Sequence, residues 1–276
     1  MPRQNKNQWW SGRFQVVACC LLYAITLATA ADAQPGETSD SAVLVPGGSY
    51  VPAFARQPGK PGTRTPIRTV KVDAFRMDRF PVTNEQFLRF LIAHPEWRKS
   101  KVKTLFADEH YLAGWRADLS WGDQQTAGQP VTNISWFAAK AYCEDRGAEL
   151  PTTDQWEYAL WDQGRHQTEV KAKQLAWFAV PNTQNVPAAT SAPANDFGVH
   201  GLVGLVWEWT LDFESTPTGS DARNGTSEKG LYCGGASVGA KDASDYGAFM
   251  RYSFRSCLKA SFTTKDLGFR CVMRTP

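Results

Sequence analysis

An irregular α+β fold is predicted from three observations. The 276 residues are 42% hydrophobic and 21% charged, the composition of an ordered globular protein. Rings and turn formers are both abundant, with 11 Trp, 15 Phe and 8 Tyr beside 22 Gly and 16 Pro. Helical signatures are confined to three segments, and the strand-like runs between them are short. Such a chain must hold long loops by side-chain packing and cross-links, because regular ladders are few.

Each element has a local cause. Thr83 precedes Asn84–Leu91, where Phe87, Phe90 and Leu91 recur at three- and four-residue spacing and predict a short amphipathic helix. Ser135 can cap a second helix over Trp136–Asp145, with Gly147 placed just past its end to take a left-handed conformation. Thr152 followed by Gln155 forms a capping box that opens a third helix carrying Trp156, Tyr158, Ala159 and Leu160. Val43–Val45, stopped by Pro46-Gly47-Gly48, and the alternating run Thr69–Phe75 predict short strands. Gln57–Arg68 and Asn182–Asp196 have turn chemistry without periodicity.

Charge excludes one class of partner. Lys and Arg number 30 against 27 Asp and Glu, so no global field favours a polyanion and a nucleic-acid partner has no support.

The N-terminus has the organisation of a cleavable Sec-type signal peptide. Arg3, Lys6 and Arg13 form a basic region, residues 14–31 are apolar, and Ala31-Asp32-Ala33 supplies small residues for cleavage after Ala33. A membrane anchor needs about 20 apolar residues, and this run is interrupted by Thr26, Thr29 and Asp32, so no stable anchor is expected after cleavage. The expectation is a soluble periplasmic protein: signal peptide 1–33, a flexible leader 34–42, and a single domain over 43–276. Cleavage removes three of the 30 basic and one of the 27 acidic residues, leaving a net charge of about +1. It also leaves Cys143, Cys233, Cys257 and Cys271, an even set that reads as two disulfides in an oxidising compartment. Spacing does not choose among the three pairings. With no CxxC spacing and four His in all, a structural zinc site has no support.

Seven segments, in order, carry a family resemblance. They are Phe80-Pro81-Val82-Thr83-Asn84-Glu85-Gln86-Phe87; Pro130-Val131-Thr132-Asn133-Ile134-Ser135-Trp136 with Ala139 and Cys143; and Leu150-Pro151-Thr152-Thr153 with Trp156-Glu157-Tyr158-Ala159. Then come Asn195-Asp196-Phe197-Gly198-Val199, Gly204-Leu205-Val206-Trp207-Glu208-Trp209 with Asp212, Gly234-Gly235-Ala236, and Arg251 and Arg255 ahead of Gly268-Phe269-Arg270-Cys271. The series resembles the sulfatase-modifying-factor, or formylglycine-generating-enzyme, domain over about residues 43–274. The resemblance implies a C-type-lectin-like core with little regular secondary structure. It also implies a Cys143–Cys271 disulfide joining the second helix to the last strand, which leaves Cys233 with Cys257.

The family's name-giving activity oxidises a client cysteine to formylglycine with copper held by two thiolates, soft ligands suited to Cu(I). In the family these follow the Gly-Gly-Ser segment, but here the window Ala236–Arg255 contains no cysteine, so copper chemistry is not expected. The family's calcium positions have drifted too. Leu205 stands where Asn is usual and Gly201 where an acidic residue is common, leaving Glu208 as a weak calcium candidate or a structural carboxylate. By the same resemblance Trp207 lines the substrate cleft, and Arg251, Tyr252 and Arg255 lie on a strand at its floor. Tyr252, flanked by arginines that would stabilise its phenolate, is the candidate acid or base, with Arg251 and Arg255 as catalytic partners. Ser237, Asp242, Asp245 and Tyr246 supply further polar groups in that segment. Substrate-binding candidates are Trp207, Ser237, Tyr246 and Trp115, the last from an insert whose rings (Trp97, Phe106, Tyr111, Trp115 and Trp121) can wall a cleft or form a second core layer.

Two functions follow. One is an exported tailoring enzyme acting oxidatively on a small-molecule or peptide-like substrate, since a branch of the family lacks the copper cysteines and one member of it acts on the maturing chromophore of the siderophore pyoverdine. The other is a non-catalytic accessory module for a periplasmic client enzyme such as copper nitrite reductase. Fold alone supports both.

Overall fold

In the computed structural model, which describes residues 41–52, 69–180, 186–213 and 246–275, the three expected helices begin at their expected caps. Helix α1 spans Asn84–Ala93 behind a full capping box, the Thr83 hydroxyl accepting from Gln86 N and the Gln86 carboxamide accepting from Thr83 N. Helix α2 (Trp136–Asp145) starts at Ser135, whose hydroxyl accepts from Ala138 N, and ends before Gly147 at φ +66°. Helix α3 (Thr153–Trp161) opens on the Thr152–Gln155 box. The structure adds two helices beyond the three expected, α4 (Gln167–Ala179) and α5 (Tyr246–Cys257).

The described strands are short and form four small sheets. Strands β1 (Ala42–Val45), β4 (Phe75–Asp78) and β9 (Val272–Arg274) make an antiparallel sheet in the order β1-β4-β9. Strands β2 (Gly48–Tyr50) and β3 (Val70–Val72) pair antiparallel, as do β5 (Trp115–Ala117) and β6 (Ser120–Trp121). Strands β7 (Trp207–Glu208) and β8 (Leu267–Gly268) form a two-residue parallel ladder. The expected strand over Thr69–Phe75 is therefore two strands in two sheets. The chain turns at Asp73-Ala74, which sits against the Pro46-Gly47 turn. A Cβ at Gly47 would lie 2.9 Å from Ala74 N, so only glycine lets the two turns approach. Gly48 resumes as β2 instead of ending the run. Residues 57–68 lie outside the described set.

Two groups of buried side chains form the core. One gathers Phe87, Leu91, Trp115, Ile134, Trp209 and Phe269 between α1, α2 and the C-terminal segment. The other gathers Phe75, Met77, Trp156, Tyr158 and Val203 between the three-stranded sheet and α3. The insert rings take the second of their two expected roles. Trp97 packs on Phe106 at 5.9 Å, Phe106 on Phe137 at 5.3 Å and Trp115 edge-on to Trp121 at 6.0 Å, while the Tyr111 hydroxyl donates to Trp97 O. Cys143 and Cys271 form the implied disulfide, closing 128 residues of chain. Cys257 is also disulfide-bonded, and Cys233 lies outside the described residues. Among the described residues no helix is long and apolar enough to cross a membrane.

Candidate active site

Two buried carboxylates organise the region around Trp207. The first is Glu208 on β7. Arg270 grips it bidentately, Nη2 donating to Oε1 at 2.7 Å and Nε to Oε2 at 2.8 Å, and Trp156 Nε1 donates to Oε2 at 2.8 Å. Both partners of this ion pair are wholly buried. Arg270 donates in addition to the carbonyls of Asp78 and His200, so one guanidinium ties β4, the 200s loop and β7 together.

The second carboxylate is Glu157, one residue after Trp156 on α3. Arg251 holds it through Nε at 2.9 Å and Nη2 at 2.6 Å, and Arg255 through Nη1 at 2.7 Å. Burial by itself would push the Glu157 carboxyl up. The charges and hydrogen bonds of the two arginines outweigh it and hold the group down at about 2. Arg255 lies over the Trp156 ring, 4.8 Å from its centroid, so α3 and α5 are joined by charge and by ring contact.

Above this triad lies a cleft of rings. Trp207 is stacked against Phe254 of α5 at 4.5 Å and 24°, and against Phe178 of α4 at 5.5 Å and 8°. Trp177 adds a tilted contact to Trp207 at 5.0 Å. Helices α4 and α5 touch where Gly247 faces the Gln174 carboxamide, a place where any side chain on residue 247 would collide with it.

This chain matches the Sulfatase-modifying factor enzyme 1-like domain over residues 27–275. It belongs to that family. It is 29% identical to the mouse protein named inactive C-alpha-formylglycine-generating enzyme 2, over 69% of this chain and 74% of that one. It is 25% identical to the formylglycine-generating enzyme of Thermomonospora curvata, over 86% of this chain and 94% of that one. Among solved structures it is similar to PvdO from Pseudomonas aeruginosa, with 17% identity, a TM-score of 0.47, and coverage of 85% of this chain and 94% of that one.

Within the family frame the expected site residues separate. Trp207, Arg251, Tyr252 and Arg255 do converge, but on a helix and not on the expected strand. The helix is what brings Tyr252 to the same side as both arginines: residues 251, 252 and 255 are all buried, a set that a two-residue period would split between opposite faces. Burial pushes the Tyr252 phenol up, Glu157 adds to the rise, and Arg255 and Arg251 offset only part of it, which disfavours the expected phenolate and leaves the phenol as a proton donor. Arg251 and Arg255 are committed to Glu157. Trp115 is 2% exposed in the core, away from the ring cleft. Tyr246 stands exposed at the start of α5, edge-on to Phe178 at 6.5 Å. Ser237, Asp242 and Asp245 lie outside the described residues.

Sequence reasoning missed Glu157, Trp177, Phe178 and Phe254 as parts of this site. Glu157 did carry a signal: it is a lone acid between Trp156 and Tyr158-Ala159-Leu160, and a carboxylate in so apolar a run requires a buried cationic partner.

Among the described residues, the surroundings of Glu208 do not fit calcium, and the sequence lacks the thiolates for copper. Copper would need two thiolates, and the 236–255 segment contains none. Calcium would need side-chain oxygens around Glu208, whose two oxygens already accept from Arg270 and Trp156. The position of the missing ligand is filled as well. Gly201 sits at φ +67° and a Cβ there would lie 2.8 Å from Leu205 Cδ2, so an apolar side chain occupies the space an oxygen ligand would need. Thermal melts in excess calcium and in EDTA are therefore expected to coincide. A site at 100 times its Kd would add ~2.7 kcal/mol, and a calcium-dependent rise of several degrees would contradict this assignment.

A second cleft, of about 520 Å³, lies between the β5–β6 hairpin and the 263–266 turn. His110, Gln125, Asn133, Lys265 and Asp266 are among its walls. Burial pushes the Asp266 carboxyl up, and the Gln125 Oε1 acceptor is buried without a partner among the described residues. The two clefts share a ladder, since Trp207 N donates to Asp266 O at 2.7 Å.

Proposed function

We propose that this chain is an exported family member without copper-dependent formylglycine generation, acting as a periplasmic tailoring protein on a ring-bearing, siderophore-like or peptide-derived substrate, in an oxidative step. The observation that carries the proposal is the ring cleft over the Glu157–Arg251–Arg255 triad, in a chain whose 236–255 segment has no thiol. A cleft walled by Trp207, Phe254 and Trp156 suits a flat or conjugated group, because rings bind rings through offset and edge contacts. The relatives' names span formylglycine generation and its loss, and the missing thiols support the second reading for this chain. Export rests on the basic, apolar and small-residue pattern of residues 1–33.

Two measurements test it. The purified mature protein is expected to bind no stoichiometric Cu(I) and to leave a sulfatase-derived cysteine peptide unchanged; an aldehyde product ends the proposal. A deletion strain is expected to accumulate an unoxidised precursor, cleared on complementation by the wild type but not by Trp207→Ala. Identical small-molecule pools in the two strains rule out the enzyme.

One observation favours the accessory reading, a non-catalytic module for maturation of a periplasmic metalloenzyme. The two carboxylates described around the ring cleft are both held by guanidiniums, Glu157 by Arg251 and Arg255 and Glu208 by Arg270. With Tyr252 as proton donor, Tyr252→Phe is expected to abolish the in vivo product with folding retained, and an unchanged product level removes Tyr252 from catalysis.

A further inference from the structure

The ring cleft is filled by the protein's own side chains. The space left among Trp156, Trp177, Phe178, Trp207 and Phe254 is about 10 Å³, room for a single water. Phe178 lies within 8° of parallel to Trp207, the arrangement a flat ligand would adopt on that ring. It is also the neighbour of Trp177, whose ring centroid is 5.4 Å away and which touches Trp207 as well. Consecutive helix residues point about 100° apart, so α4 reaches Trp207 with two rings spread over it like a clamp.

Helix α4 buries little of its own surface among the described residues. Of its thirteen residues only Gln174 is buried, and Leu175 is 48% exposed. Its first turn follows His166 at φ +53° with no side-chain cap, after Asp162, Gln163 and Gly164, which also have positive φ. A helix with one buried residue, an uncapped start and strained backbone before it belongs to the least stable part of the molecule. Among the described residues its ring contacts are with Trp207 and Tyr246, Gln174 meets Gly247 of α5, and Val170 packs on the edge of the second core group.

We propose that Phe178 is a built-in occupant of the ligand position on Trp207, and that a planar aromatic or heteroaromatic ring takes its place when α4 lifts away. The inference rests on the ring cleft being the binding site. It adds the class of group bound there and the element that must move. Affinity in the resting protein is then reduced by the fraction of molecules in which Phe178 is withdrawn.

The probe is 7-hydroxycoumarin, a planar bicyclic fluorophore, followed by fluorescence polarisation with the wild type, Phe178→Ala, Trp207→Ala and the double variant. Phe178→Ala is expected to bind about tenfold tighter than the wild type, the factor for a site open in about one molecule in ten. Trp207→Ala is expected to abolish binding in both backgrounds. Tighter binding by Phe178→Ala with loss in both Trp207 variants supports the proposal. Unchanged affinity in Phe178→Ala with loss in Trp207→Ala overturns the occupant and leaves the cleft. Indifference to both substitutions overturns both. Should Phe178→Ala fail to fold, Phe178→Leu keeps the apolar volume without the flat ring, and hydrogen exchange on the wild type reads the same motion. Amides of residues 167–179 are expected to exchange faster when the probe is added, and unchanged exchange at saturation overturns the displacement.

Discussion

Glu157→Gln is expected to destabilise the folded domain by about 3–5 kcal/mol at neutral pH, the cost of removing one partner from a buried ion pair. The substitution preserves shape and removes only charge, leaving the Arg251 and Arg255 guanidiniums buried against a neutral amide. For a domain of this size each kcal/mol moves Tm by ~2–4 °C, so a fall of roughly 10 °C is the expected reading in a thermal melt. The pH dependence has a definite sign. The carboxyl is lowered from its ordinary 4.5 to about 2 on folding. Its stabilisation is therefore complete above pH 4.5 and is lost as the pH falls from there toward 2. Urea melts at pH 6 and at pH 3 are expected to show the wild type losing more stability than Glu157→Gln between the two. A variant as stable as the wild type at pH 6 would mean that the triad is not buried as described. Replacing all three charges at once, as Glu157→Leu with Arg251→Met and Arg255→Met, is expected to recover much of the loss, because well-packed apolar groups carry no desolvation cost.

Removing the Cys143–Cys271 disulfide by paired Cys→Ala substitution is expected to cost about 5 kcal/mol in the chain-entropy treatment of a closed loop, here one of 128 residues. Both half-cystines are fully buried in the core beside Tyr142 and Phe269. Alanine therefore leaves a small void as well as freeing the unfolded chain, and the two effects act in the same direction. The measurement is the urea midpoint of the paired variant against the wild type. A shift equivalent to less than about 1 kcal/mol would show that the denatured chain stays compact without the cross-link.

Local chemistry was legible wherever a short stretch of sequence determines it. The caps of α1, α2 and α3 depend on one side chain and a backbone amide three residues on, so Thr83, Ser135 and Thr152 announced them. The left-handed residue after α2 was readable in Gly147 for the same reason. The strands were harder. Thr69–Phe75 alternates throughout, but its division between two sheets depends on the contact of two turns, Pro46-Gly47 and Asp73-Ala74, that are distant in sequence. Helix α4 has neither a cap nor a buried stripe to announce it, and both its rings pack on Trp207, about thirty residues away.

By itself the sequence determined the family, the irregular α+β class, the disulfide that family implies, and the loss of the copper thiolates. Those are matters of residue identity and order, which survive without coordinates. Tertiary structure alone decided the fates of the charged and aromatic groups. It put Glu208 in the grip of Arg270, set Glu157 between two arginines, kept the Tyr252 phenol protonated and laid Phe178 on Trp207. The physical reason is that a buried charge or ring takes its character from whatever long-range neighbours replace water around it. Neighbours that lie 62 residues apart, as Glu208 and Arg270 do, or 94, as Glu157 and Arg251 do, leave no local trace in the chain.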